Sequence, residues 1–183
     1  MKKFFSILLL SCLVSAQSPA YFGISYGYSE VDNTVKYTNS GSTTTVELQN
    51  SPFVEFSLNY RVGHIRMKTA LDYRNYEMQN FPFDVTDVGI MQHIYRDLDI
   101  GLPIRPFFKI AFGISSVDYS NQSSEPEGVF TFAYGSGIFI DLGDAVKLSF
   151  EYQTYRTTDV NYDGVTYDGY ESEDFVASYI FRF

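Results

Sequence analysis

The chain has 183 residues with 22 acidic and 13 basic side chains, and 18% of its residues are aromatic although it has no Trp. Because the formal net charge is −9 at pH 7, the composition argues against nucleic acid or an anionic surface as the principal partner. The length suits one domain, and a single cysteine excludes an internal disulfide.

The N-terminal segment has the pattern of a secretory signal peptide. Two lysines precede an apolar run at 4–14, and the small residue Ala16 closes the segment. The run is too short to span a bilayer. We therefore predict a signal peptide at 1–16, cleaved after Ala16, and one domain at 17–183. A Leu-Leu-Ser-Cys sequence ending at Cys12 leaves a lipid-anchored N-terminus as an alternative.

Eight later segments alternate bulky apolar residues with small or polar ones, which is the period of a β-strand. In the fourth segment the register is ambiguous, because the phase that turns Val88 and Ile90 outward also turns Gln92 outward. The predicted strands lie at 22–28, 54–62, 65–74, 84–96, 108–115, 130–140, 146–153 and 175–183.

The connections between these strands alternate in length. Those at 62–64, 97–103 and 141–144 are short, whereas those on the other side are longer and polar, at 32–51, 77–82, 117–128 and 157–172. Outer-membrane barrels have short periplasmic turns and longer extracellular loops. The pattern therefore predicts that both chain ends lie on the periplasmic side.

Strands with one oily face have to satisfy their backbone groups, and within hydrocarbon only a closed sheet does so. The fold class predicted is all-β, an eight-stranded antiparallel up-and-down transmembrane β-barrel whose small and charged residues face inward. The competing interpretation is a soluble barrel of the lipocalin kind. That fold would have the opposite polarity, with the bulky apolar face inside.

Two segments resemble outer-membrane barrels. The ending Ser178-Tyr179-Ile180-Phe181-Arg182-Phe183 is similar to their closing signature, and 106–113, Pro-Phe-Phe-Lys-Ile-Ala-Phe-Gly, resembles the Pro-Tyr-x-Gly-x-Gly-x-Gly strand of the OmpA/OmpX-like superfamily. Lys109 and Ala111 replace two of its glycines, and Ser178 stands where Gly is usual. The resemblance implies a place in the bacterial outer membrane, contact with lipid and lipopolysaccharide, and recognition of Tyr179, Phe181 and Phe183 by the barrel assembly machinery.

Charged residues of both signs fall on the predicted inner face. In so narrow an interior they are costly unless they pair. A paired network that plugs the barrel is favoured over a water-filled pore, because eight strands enclose little more than their own side chains. The predicted network comprises Glu55, Arg61, Arg66, Lys68, Asp72, Arg74, Lys109 and Glu151.

The last long connection contains Asp159-Val160-Asn161-Tyr162-Asp163-Gly164, which matches the opening of a calcium-binding loop. The twelfth position should hold a bidentate carboxylate but is Tyr170, and Glu171 comes one residue late. Asp159, Asn161 and Asp163 are therefore candidate calcium ligands, with an ordinary Asp-Gly turn as the alternative. The sequence predicts no other cofactor.

No catalytic group is predicted, because neither of the two histidines has an identifiable orienting partner. His64 falls in a tight turn and His93 is expected in the interior near the same end. We predict a structural or surface-interaction protein rather than an enzyme, which displays its loops to an extracellular ligand in adhesion or surface protection. The alternative is a narrow porin-like channel for ions or small solutes.

Overall fold

The computed structural model describes residues 20–31, 35–39, 42–78, 84–119, 127–162 and 165–182. The regular elements among these residues are all β-strands. A search of the same residues found no helix with the length and apolar character needed to cross a membrane.

Eight strands form a closed antiparallel barrel, as predicted. Each strand pairs with two neighbours, and the first and last strands along the chain pair with each other over 21–31 and 172–182. In chain order the barrel strands are β1 (Tyr21–Val31), β4 (Ser51–Val62), β5 (Ile65–Glu77), β6 (Asp84–Asp97), β7 (Ile104–Tyr119), β8 (Glu127–Asp141), β9 (Val146–Thr157) and β12 (Glu171–Arg182).

The polarity of the barrel is that of a membrane protein. Outward-facing Phe130 and Phe108 are 73% and 62% exposed, whereas Arg74 and Asp174 inside are 1% and 0% exposed. A soluble protein rarely presents so much contiguous apolar surface. The lipocalin-like alternative is therefore wrong, because the apolar face surrounds the barrel and the charged face lines it.

The register of β6 explains the outward Gln92. His93 is buried and Val88 is exposed, so the even-numbered residues of this strand face outward. The Gln92 side-chain oxygen accepts hydrogen bonds from Thr69 at 2.8 Å and Tyr60 at 3.3 Å, and its nitrogen donates to the Lys68 carbonyl at 3.2 Å. These bonds satisfy the amide on the lipid-facing side, where an unpaired polar group is costly.

The local geometry explains why glycine stands at two positions of the barrel. Gly27 faces inward under the Phe53 ring, and a Cβ added there would lie 2.2 Å from that ring. Gly63 has a φ of 61° in the turn between β4 and β5, a conformation that residues with a side chain rarely adopt.

We call the end of the barrel with short turns the periplasmic end and the other the outer end, following the orientation predicted above.

Two of the long outer connections contribute strands to a second sheet, which the sequence analysis did not predict. β2 (Val35–Asn39) and β3 (Ser42–Val46) form one hairpin, and β10 (Val160–Tyr162) and β11 (Val165–Tyr167) form another. β11 pairs with β2, which gives a four-stranded sheet in the order β10-β11-β2-β3. These strands are too short to show a clear apolar face, although the β-branched run at 43–46 is typical of a strand.

Candidate functional site in the barrel interior and at its ends

A salt bridge joins Lys68 and Glu55 in the interior. Lys68 Nζ lies 2.8 Å from Glu55 Oε1, and the two side chains are only 3% and 4% exposed. Ser25 donates a second hydrogen bond of 2.8 Å to the same oxygen. A buried carboxylate loses its solvation by water. For Glu55 the opposite charge of Lys68 and the Ser25 hydroxyl together compensate for that loss.

A denser cluster lies nearer the outer end, around Asp174. Arg74 reaches Asp174 across the barrel at 2.9 Å, and its guanidinium stacks 4.1 Å from the Phe53 ring centre and 3.8 Å from that of Tyr155. Asp174 was not among the predicted interior charges, although it is in phase with the inward residues of β12. Its carboxylate accepts hydrogen bonds from Ser29 at 2.7 Å, Arg74 at 2.9 Å, Gln153 at 2.7 Å and Ser172 at 2.8 Å.

A third pair joins Lys109 of β7 to Glu151 of β9, and these groups are in direct contact. Glu151 also accepts a hydrogen bond of 2.7 Å from Ser149, and the Tyr95 hydroxyl lies 3.4 Å away. Lys109 stands at one of the positions where the family pattern has glycine. The Lys109 side chain is tolerated at this position because its ammonium group pairs with the Glu151 carboxylate.

Asp72 and His93 are less completely paired. The nearest Arg74 nitrogen lies 3.8 Å from Asp72 Oδ2, and Asp72 Oδ1 has no hydrogen-bond partner among the described residues. Both ring nitrogens of His93 also lack one, and Nε2 lies 3.8 Å from Glu55. His93 is 1% exposed and His64 lies in the exposed turn after β4, so the structure does not bring the two histidines together.

Arg61 is the predicted interior charge that lies elsewhere. The structure buries the other seven, but the Arg61 side chain is 44% exposed at the periplasmic mouth, where it binds Asp97 at 2.9 Å. The reason is that β4 ends at Val62. Arg66 binds the same carboxylate at 3.0 Å and is only 5% exposed. The sequence analysis missed Asp97, which is the last residue of β6.

The periplasmic mouth contains a cavity of about 400 Å³. We call it the periplasmic vestibule. Its wall includes Arg66 and also Arg105 and Lys147, which are both paired with Asp141. Phe139 and Ile180 supply apolar surface. The vestibule is thus a concave site with clustered charges and an apolar wall, as small-molecule sites are.

The outer end is covered by apolar side chains. Val46, the last residue of β3, and Leu48 join Tyr167 and Tyr170 in one buried cluster with the ends of the barrel strands. The hydroxyls of Tyr170 and Tyr155 both donate to Asp87. Burial, and secondarily the Asp87 carboxylate, raise the pKa of Tyr170 well above its ordinary value. The phenol therefore remains a hydrogen-bond donor that fastens the cover to the barrel.

The remaining predicted residues are only partly described. The Asp159 carboxylate accepts a 2.9 Å hydrogen bond from the Gly169 backbone, whereas the Asn161 side chain and Asp163 lie outside the described residues. No group of three or more His, Cys, Asp or Glu among those described is placed to hold a metal ion. The assembly signal is similarly divided. Tyr179 is exposed and its ring centre lies 5.8 Å from that of Phe181, but Phe183 is not described.

Comparison with solved structures found proteins of similar fold. Neisserial surface protein A is 15% identical, and the alignment covers 90% of this chain and 99% of that one with a TM-score of 0.62. At TM-scores of 0.48, Ail from Yersinia pestis is 15% identical over 90% of this chain and 99% of its own. The β-barrel domain of OprF from Pseudomonas aeruginosa is 10% identical over 90% and 100%. A search of curated protein sequences found no match.

The family described as "Outer membrane protein beta-barrel domain" matches residues 4–183. That match spans nearly all of the chain and agrees with the closed eight-stranded barrel and its outward apolar face. The chain therefore belongs to the outer membrane protein beta-barrel family and resides in the bacterial outer membrane.

Proposed function

We propose that this barrel is a non-conducting display protein, which holds the four-stranded outer sheet above the membrane so that an extracellular partner can bind it. Adhesion or surface protection is the role that such a display serves. The observation that carries the proposal is the union of two hairpins from separate connections into one sheet. A sheet ordered before binding loses less conformational entropy on association than two independent loops would.

The exposed side chains of this sheet are suited to polar recognition. Thr43, Thr44 and Thr45 of β3 are exposed, and Lys36 of β2 and Asp168 after β11 are exposed as well. Hydroxyls both donate and accept hydrogen bonds. The described surface therefore supports binding of a polar partner such as a carbohydrate or a hydrophilic protein surface.

The interior supports the non-conducting part of the proposal. The Lys68–Glu55 and Lys109–Glu151 pairs and the Asp174 cluster occupy the space between the strands, and the apolar cluster covers the outer end. An ion that crossed the barrel would have to separate these buried pairs. Little water is there to solvate the charges once they are apart. The rival function, a narrow channel, is favoured by one observation, the vestibule of about 400 Å³ at the periplasmic mouth.

Conductance distinguishes the two functions. The folded barrel, reconstituted in a planar lipid bilayer, is expected to give no stable open steps. As a control, R74M with D174N removes the charges of the Arg74–Asp174 pair without adding bulk. Steady conductance steps from the unmodified barrel would refute the non-conducting proposal and support the channel.

Adhesion tests the display role. Bacteria that produce the barrel are compared with bacteria that produce a variant in which residues 35–46 are replaced by a short Gly-Ser turn. We expect the variant to bind a cultured epithelial layer less well. The matched control replaces 99–102 at the periplasmic end, which should leave adhesion unchanged. Equal binding by all three strains would contradict a role for the sheet in adhesion.

We also propose export and assembly roles for the two ends of the chain. Residues 1–16 direct secretion and are removed, and Tyr179, Phe181 and Phe183 form the signal that the barrel assembly machinery binds. The outward position of Tyr179 supports this, because its ring is accessible from the membrane side. Mass measurement of the mature protein checks the cleavage. The outer-membrane level of Phe183→Ala checks the signal.

We propose no catalytic role for either histidine and no resident cofactor. His93 is enclosed and His64 is solvated in a turn, so neither is placed as a general base next to an accessible nucleophile. The calcium alternative at Asp159, Asn161 and Asp163 stays a prediction. Calorimetric titration of the folded barrel with Ca²⁺ tests it, with D163N as the variant.

A further inference from the structure

The periplasmic vestibule has more positive than negative groups. Asp97 binds both Arg61 and Arg66, at 2.9 Å and 3.0 Å. Asp141 binds Lys147 at 2.7 Å and also contacts Arg105. Each carboxylate is thus shared by two cations, so two of the four positive charges in this group are not neutralised within it.

Among the described residues, the other acids at this end do not line the vestibule. Asp99 accepts a 3.0 Å hydrogen bond from the backbone of Gly101 in its own turn. Asp144 lies in the exposed turn between β8 and β9. Neither residue belongs to the wall of the vestibule. The unneutralised positive charge therefore faces the cavity.

An aromatic ring holds the cations in place. The Phe139 ring centre lies 4.4 Å from the guanidinium carbon of Arg66, 5.3 Å from that of Arg105 and 5.9 Å from Lys147 Nζ. Cations over an aromatic face are attracted to it and lose part of their hydration. The vestibule therefore presents fixed, partly desolvated cations, which bind an anion more strongly than mobile surface lysines do.

We propose that the periplasmic vestibule is a binding site for an anion that carries a phosphate group. A guanidinium has five N–H donors in a planar fork that matches phosphate, and Arg61 and Arg105 each spend one on a carboxylate. A volume of about 400 Å³ is within the range of small-molecule sites. Two sources have this chemistry: the headgroup of an anionic phospholipid in the periplasmic leaflet, and a soluble periplasmic phosphate compound.

Titration of the full, folded barrel in a neutral detergent tests the proposal. Isothermal calorimetry with sodium pyrophosphate is expected to show one saturable site, and R105Q with K147Q is expected to weaken it by about tenfold or more, because two of the four cations are lost. The matched control is R156Q, an arginine at the outer end that is 52% exposed and also paired with a carboxylate, Glu171. This control should leave the affinity unchanged.

A second arm tests the lipid source. The barrel is placed in nanodiscs of phosphatidylcholine with or without phosphatidylglycerol, and native mass spectrometry counts the lipids retained when the disc is released. Retention of phosphatidylglycerol that R105Q with K147Q abolishes identifies a headgroup as the ligand, whereas pyrophosphate binding without retention identifies a soluble phosphate. Absence of both, or equal binding by the double variant, would overturn the proposal.

Folding of each variant is checked by heat-modifiable migration on a gel. If the double variant does not fold, R61Q provides the same test, because the Arg61 side chain is 44% exposed and its loss leaves Asp97 bound to Arg66. We expect R61Q to weaken pyrophosphate binding by about threefold, as one peripheral charge does at partial exposure. An unchanged affinity in R61Q together with a folded barrel would count against the site.

Discussion

The Asp174 cluster yields the most specific prediction about stability. Arg74→Met keeps an unbranched apolar stem but removes the guanidinium, and with it the positive charge next to a carboxylate that is 0% exposed. Asp174 would retain its hydrogen bonds from Ser29, Gln153 and Ser172. Loss of one partner of a buried pair costs about 3–5 kcal/mol, and we expect the free energy of unfolding to fall by about that amount.

The second half of this prediction is a double-mutant cycle. Asp174→Asn in the Arg74→Met background removes the unpaired charge, so the double variant is expected to recover more than half of the loss. The assay is urea unfolding of the barrel in lipid vesicles, followed by tyrosine fluorescence and by gel migration. The control is Arg156→Met, which removes an exposed partner of Glu171 and should not move the unfolding midpoint measurably. If Arg74→Met shifted the midpoint no more than Arg156→Met, the inference that the interior excludes bulk water would be refuted.

Two further predictions concern packing and the outer cover. Gly27→Val should lower the free energy of unfolding by about 1–3 kcal/mol, because its Cβ would lie 2.2 Å from the Phe53 ring. In the same urea assay Gly128→Ala should be neutral, since the nearest atom to its Cβ is 4.0 Å away. Tyr170→Phe removes the hydrogen bond to Asp87 and should loosen the cover. Trypsin should then cleave faster at the exposed Lys36, and an unchanged cleavage rate would show that Tyr170 does not fasten it.

The barrel itself could be predicted from the sequence because its two environments differ so strongly. Each strand has lipid on one face and a crowded polar interior on the other. The alternation of apolar and polar residues along the strand therefore indicates both environments. Even the ambiguous β6 obeys the rule: Gln92 does face outward, and local bonds from Thr69 and Tyr60 make that possible. Those bonds join residues of three strands, and nothing in a single strand's pattern indicates them.

The interior partners and the outer sheet were not predictable in the same way. Which charges meet across the barrel depends on the stagger of eight strands, so the pairing of Arg74 with Asp174 follows only once the sheet has closed. Asp97 and Asp87 lie near strand ends, where the inward phase is hard to extrapolate. Three consecutive residues of β3, Thr43, Thr44 and Thr45, are exposed, so no periodic apolar face marks this strand.

The pairing of β1 with β12 joins the first and last strands of the barrel over 21–31 and 172–182. β12 is the last barrel strand in chain order, so a barrel that lacks it has an unpaired edge that binds other chains readily. No shortened version of this protein can make a smaller complete ring, since loss of the final strand exposes both of its former neighbours, β1 and β9. Interrupted synthesis should therefore leave material for periplasmic proteases rather than a partly working protein, and pulse-chase labelling of a chain that stops at 170 would reveal its rapid degradation.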